Sequence, residues 1–83
     1  MEKSIYTREY KVLLRLLREA RERAGVTQVE LARRLGQTQS FVSKIEVGDR
    51  RLDLVQLRTV LAALDVRLGS FVRRFEEELA RLP

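Results

Sequence analysis

Three glycines, Gly25, Gly36 and Gly48, stand 11 and 12 residues apart, and the one proline, Pro83, is the last residue. Between these breakers run stretches rich in Leu, Arg, Glu and Ala, residues that favour helix, and each glycine sits where a helical pattern stops. No alternating apolar and polar run of useful strand length, no low-complexity linker and no long repeat interrupts them. The punctuation therefore points to an all-α fold of short helices. At 83 residues the chain has room for one domain, residues 1–83, around one core.

Five helices account for the pattern. The first begins after Thr7, a candidate N-cap, and runs to about Ala24, with Tyr10, Leu13, Leu14, Leu17, Ala20 and Ala24 on one face. Thr27 opens the second, with Glu30 in the capping-box position and Leu31, Ala32 and Leu35 inward. Thr38 caps the third, from Gln39 to about Val47, whose inner face is Phe41 or Val42 together with Ile45. Asp53 and Gln56 repeat the capping-box spacing for a fourth helix that turns Leu54, Leu57, Val60, Leu61 and Leu64 inward. A fifth runs from about Arg67 to Arg81 with the apolar stripe Leu68, Phe71, Val72, Phe75, Leu79 and Leu82.

Composition excludes most chemistry. The chain has no Cys and no His, which removes disulfides, thiolate nucleophiles, imidazole bases and nearly every zinc or haem site. So short a chain leaves little space for a substrate cleft, so no enzyme and no cofactor is expected. No apolar run approaches the roughly 20 residues of a membrane span, and Met-Glu-Lys-Ser does not read as a signal peptide, so a cytoplasmic location is expected. The net charge is +5 and is unevenly placed. Residues 1–24 hold seven Lys/Arg against four Glu, residues 25–51 five against three, and residues 52–83 five against five. The basic excess thus lies in the first two-thirds, as if one end met a polyanion while the other packed on protein.

Between the second and third helices only about three residues remain, Gly36-Gln37-Thr38. So short a turn with a glycine able to take positive φ suits a helix-turn-helix. Ala32 is small where the second helix must approach the third, and Val42 and Ile45 fill the wedge. The run Gly25-Val26-Thr27-Gln28-Val29-Glu30-Leu31-Ala32-Arg33-Arg34-Leu35-Gly36, followed by Gln39-Ser40-Phe41-Val42-Ser43-Lys44-Ile45-Glu46-Val47-Gly48, resembles the Cro/repressor (XRE-type) helix-turn-helix over roughly residues 13 to 72. The resemblance implies a five-helix lambda-repressor-like DNA-binding domain with a core of about residues 8–72. It implies Gln28 on a DNA phosphate, Gln39, Ser40 and Lys44 at base edges, and Ser43 close to bases or backbone. It also implies a buried Arg21–Glu46 pair tying helix one to the end of the recognition helix. Two positions depart from the family pattern: Gln37 is polar where many members are apolar, and Asp65 stands where members usually carry Gly.

The residue chemistry fits these roles. Gln39 suits a bidentate contact with adenine, and Lys44 reaches guanine or a phosphate. They lie about 140° apart around the helix, bracketing a stripe with the short Ser40 and Ser43 between them. Thr27 and Gln28 sit at a helix N-terminus, where free N–H groups and the dipole favour a phosphate. Arg50 and Arg51 follow the recognition helix in a loop, placed either to grip phosphate or to be solvated like ordinary loop arginines. Arg33 and Arg34 could also approach the DNA backbone, although surface helix arginines usually contact nothing, and Lys11, Arg15 and Arg18 are assigned no contact. Tyr6 and Tyr10 could stack on a partner but read as core-edge tyrosines.

The last helix suggests pairing. It extends beyond the length needed to close the core, so Leu68, Phe71 and Val72 are assigned to the domain, and Phe75, Leu79 and Leu82 to a twofold interface. The competing arrangement folds this helix wholly onto its own domain. Members of the family usually pair so that two recognition helices fall one DNA turn apart. The expected function is therefore a sequence-specific, double-stranded-DNA-binding transcriptional regulator, Cro/repressor-like by resemblance and of either sign, that binds a palindromic operator as a homodimer. Phage Cro-like repressors, restriction–modification controllers and antitoxins all include chains this short, so a toxin or other regulatory protein is a further candidate partner. The rival from another class is a protein-interaction module, antitoxin or adaptor that uses the same fold without reading DNA.

Overall fold

The computed structural model describes residues 7–83, so Tyr6 lies outside the described residues. Among them are five helices, α1 Arg8–Arg23, α2 Gln28–Leu35, α3 Gln39–Val47, α4 Leu54–Ala62 and α5 Leu68–Ala80. Four open on side-chain caps. Thr7, Thr27 and Thr38 each accept a hydrogen bond at 3.1 Å from the backbone N–H three residues on. Asp53 and Gln56 form a reciprocal capping box at 2.7 and 2.9 Å. Such a cap contributes about 1 kcal/mol, because it satisfies a donor the helix cannot. The box expected at Thr27 is only half formed, since the Glu30 carboxylate turns away to Arg33 and Arg34. Those two guanidinium groups hold the Glu30 carboxyl well below the usual carboxylate range, at about 2, with Arg33 the larger cause. α5 has no side-chain cap.

The first four helices stop in one way. The residue at the left-handed position and its successor donate backbone N–H groups back to the last turn, as Gly36 does to Arg33 and Gln37 to Ala32 at 3.1 and 2.9 Å. The same paired bonds occur at Gly25, Gly48 and Asp65. Asp65, at φ 59°, is the one described non-glycine residue with positive φ. The link between α4 and α5 thus keeps the geometry a glycine serves best, with an aspartate in its place. We expect Asp65→Gly to stabilise the domain by about 0.5–1 kcal/mol, the relief of Cβ crowding exceeding the added chain entropy. A thermal melt should show this as a rise of several degrees, and a fall would mean that the Asp65 side chain supports the turn.

The core is the meeting of all five helices, with Leu61 and Val42 fully buried at its centre. Val42 rather than Phe41 is the inner partner of Ile45, while Phe41 packs half-buried at the edge. Three expected faces differ. In α1 the buried residues are Val12, Leu16 and Leu17, while Ala24 is exposed. The helix is covered by α3 on one side and α5 on the other, which widens its apolar stripe. Leu54 is 64% exposed, because it is the first residue of α4 and leans toward the N-terminus, past the packed turns.

In α5, Phe71 is buried and Leu68 half-buried as expected, but Val72 is exposed. Phe75, Leu79 and Leu82, expected to be held for a partner, pack half-buried against the domain's own core. The cause is the antiparallel run of α5 along α1, with Arg8 near the Pro83 carbonyl, Arg15 on Glu78 and Arg74 near Glu19. Glu78 is the hub of this seam, in contact with Arg15, Arg74 and Arg81. The hydrogen bond from Arg15 is the main cause that holds its carboxyl below the usual range.

Candidate nucleic-acid interface

The tight turn sets α3 across α2 so that Val42 and Ile45 face inward and the opposite face stays in solvent. Gln39, Ser40 and Lys44 are exposed and Ser43 is half-buried, so all four expected base-reading residues line one side of α3. Val47 joins them. It is 64% exposed, and eight residues beyond Gln39 it falls about 80° around the helix, in the middle of that stripe. Val47 carries no polar group to mark it, and only its angular position on the helix signals a place on this face. An exposed valine among polar neighbours can meet a thymine methyl group.

Beneath the stripe lies a connected polar series. Arg21 donates through Nε and Nη2 to the two carboxylate oxygens of Glu46 at 2.6 and 3.1 Å. Its Nη1 donates to the Val26 carbonyl at 2.9 Å. The side chains are only 12% and 5% exposed, so the pair implied by the family resemblance is present and nearly buried. Hydrogen bonding to Glu46 is the main cause that raises the Arg21 pKa above its ordinary value. Gln28 Nε2 also donates to Glu46 at 2.9 Å. Its other end, Oε1, accepts from Gln39 Nε2 at 3.4 Å. The series therefore runs from α1 through the end of α3 and the start of α2 to the first residue of α3. Gln28 and Gln39, 11 positions apart in sequence, are brought together, and nothing in the spacing alone announced that contact.

Phosphate-sized anions have candidate donors at both edges. On the Gln39 side, Thr27 is exposed at the head of α2 and uses its oxygen as the helix cap, which leaves its O–H able to donate. On the other side, Arg50 and Arg51 are exposed in the loop after α3. Arg50 lies over the Phe41 ring at 4.7 Å and Arg51 over the Tyr10 ring at 5.5 Å. Tyr10 is half-buried, so it is both a core-edge residue and a stacking surface. By contrast, Arg33 and Arg34 are engaged with Glu30, and Arg34 also donates to the Ala63 carbonyl at the end of α4 at 2.8 Å. Arg15 is tied to Glu19 and Glu78. Gln37 is exposed and lines a shallow groove with Leu35, Phe41, Leu52 and Val55, on the flank of the turn.

Comparison with known proteins places this arrangement. A family model described as helix-turn-helix matches residues 17–71. Among solved structures, an XRE-family like protein from Pseudomonas syringae pv. tomato str. DC3000 superposes with a TM-score of 0.80 and 43% identity. The match covers 84% of this chain and 85% of that one. No curated protein matches.

Proposed function

This chain belongs to the XRE-type helix-turn-helix family, whose fold is that of a DNA-binding regulator, and from that premise we propose that it regulates transcription as a homodimer on a palindromic operator. The observation that carries the reading is the hydrogen-bonded series Arg21–Glu46–Gln28–Gln39, which ends on the first residue of the exposed stripe. A side chain restrained in this way reads bases at a lower entropic cost than one that must be ordered on contact. In this proposal Gln39, Ser40, Ser43 and Lys44 contact base edges in the major groove, with Val47 beside them. Thr27, Gln28, Arg50 and Arg51 hold phosphates of the two flanking strands and set register. Phe75, Leu79 and Leu82 present their outer edges to a second copy, with Val72 adjoining them. The protein works without a catalytic step or cofactor. Among the described residues no helix is long and apolar enough to cross a membrane, and we place the regulator in the cytoplasm.

The testing experiment is random-site selection on purified protein. The expected product is a palindromic duplex whose half-sites lie one helical turn apart, ~34–36 Å. Its affinity should fall steeply with salt, the slope following the number of phosphates neutralised. On that duplex Gln39→Ala is expected to relax preference at one base position, at a loss of roughly 1–3 kcal/mol there, with the melt unchanged. An unaltered preference would move base reading away from Gln39. The competing reading, a protein-interaction module of the same fold, draws on Leu54 and Val55, exposed at the head of α4. It predicts that no duplex emerges from the selection.

A further inference from the structure

We infer that Phe41 and Tyr10 are positioning residues for DNA, their rings holding the guanidinium groups of Arg50 and Arg51 while the in-plane N–H donors stay available to phosphate. The inference rests on the DNA-binding reading above. Two consecutive loop arginines would ordinarily sample many rotamers, and ordering such a side chain on contact costs up to about 2 kcal/mol. Here each has a defined resting place. Arg50 lies over a ring of α3 itself and Arg51 over a ring of α1, at 4.7 and 5.5 Å from the ring centres.

The rings are suited to the task because they are themselves held. Phe41 packs against the core, and Tyr10 is half-buried at the head of α1. Their places relative to the reading face are equally defined. Around α3, Phe41 falls about 60° from Lys44, on the edge of the stripe away from Gln39 and Gln28. Around α1, Tyr10 lies within about 20° of Arg21, the residue bound to the end of α3, so Tyr10 shares the α3-facing side. The loop thus sends one guanidinium to the edge of the recognition helix and the other back onto the head of α1.

Chemistry favours phosphate as the partner. A guanidinium stacked on a ring uses its face, and its five N–H donors point outward in the plane, matched to two phosphate oxygens. Lysine offers no such division of labour. Among the described residues Arg50 and Arg51, like Arg18, Arg23, Arg58, Arg67 and Arg73, are in no ion pair, and of these only Arg50 and Arg51 lie over a ring. The stacked pair therefore keeps its charge for an external anion. These contacts also explain why the two aromatics stand where they do: Phe41 occupies a position on α3 that is neither core nor fully exposed.

The test is a double-substitution cycle on the full chain, with the duplex recovered by random-site selection as probe and all variants compared well below their melting temperatures. Phe41→Leu keeps apolar bulk at the core edge and removes the ring. It is expected to weaken binding about two- to fivefold per half-site, the worth of an exposed cation–π contact. In an Arg50→Ala background the same change should cost nothing further, and Tyr10→Leu with Arg51→Ala should behave alike. Equal weakening with and without the arginine would overturn the inference, since a ring that only supports the fold acts regardless of Arg50. Should Phe41→Leu fail to fold, Arg50→Lys decides: binding as weak as Arg50→Ala supports the stacked fork, and binding within about twofold of the parent chain overturns it. Recovery of no duplex at all would remove the DNA-binding reading and this inference with it.

Discussion

Replacing Glu46 by alanine is expected to lower the melting temperature by about 12–24 °C, the equivalent of roughly 3 kcal/mol in a domain of this size. The physical reason is the number of donors that lose their acceptor. Arg21 Nε and Nη2 and Gln28 Nε2 all point at this one carboxylate, at 2.6, 3.1 and 2.9 Å. With Arg21 only 12% exposed, its guanidinium cannot simply be resolvated. Nor can it neutralise, since arginine keeps its proton at any pH the fold survives. The result is a poorly compensated charge between α1 and α3, left with the Val26 carbonyl and the more distant charge of Glu22. Glu46→Gln retains one acceptor oxygen and most of the shape, and should cost less. A melt shifted by under about 3 °C in Glu46→Ala would reduce the pair to the standing of a surface ion pair, worth little in net terms. The same variant should also loosen Gln28, and through it Gln39, so operator affinity is expected to fall even at temperatures where the chain is fully folded.

If the proposed homodimer forms, Val72→Glu is expected to convert it to monomer and weaken binding to the selected duplex by about 10²–10⁴-fold, because two linked half-site contacts become two independent ones. The position follows from the packing of α5. Phe75, Leu79 and Leu82 each give part of their surface to their own domain, so a charge placed on them attacks folding and pairing together. Val72 is 39% exposed, and about 20° and 60° around the helix from Leu79 and Phe75 it borders the same patch. A carboxylate there remains solvated in the monomer and is desolvated only in the pair. Sedimentation should therefore show a monomer with unchanged helix content, and titration of the selected duplex should show the loss of affinity. A dimer that survives Val72→Glu would place the twofold contact elsewhere, with Leu54 and Val55 the next apolar surface to test.

The parts of this architecture that could be read along the chain are those held by bonds between near neighbours. Thr7, Thr27, Thr38 and Asp53 open the helices at the expected places because each cap joins residues three apart. The stops after the first three helices are equally local, whereas the left-handed geometry at Asp65, a departure from the family's Gly, emerged only in the structure. The stripe Gln39, Ser40, Ser43 and Lys44 was visible for the same reason, since angular position on a helix follows from counting. Reading failed where an apolar residue had a choice of neighbours. Leu54 and Val72 fit the periodicity of buried residues and yet face water, whereas Val12 and Leu16 lie off the expected face and are buried.

The candidate site divides along the same line. Residue types and spacing were enough to identify a helix-turn-helix and the side chains on its outer face. That Arg21 holds Glu46, that Glu46 holds Gln28, and that Gln28 meets Gln39 is a product of three helices converging. The rest of Arg50 on Phe41 and of Arg51 on Tyr10 likewise joins residues 9 and 41 positions apart. By itself the sequence determined the five helices, their ends and the polar face of the third, because short-range hydrogen bonds and helical periodicity suffice for these. Only the tertiary structure decided which donors are restrained, which arginines are left unpaired and how much of the apolar surface of α5 its own domain covers. Those depend on distances between segments that the backbone brings together only when the core closes.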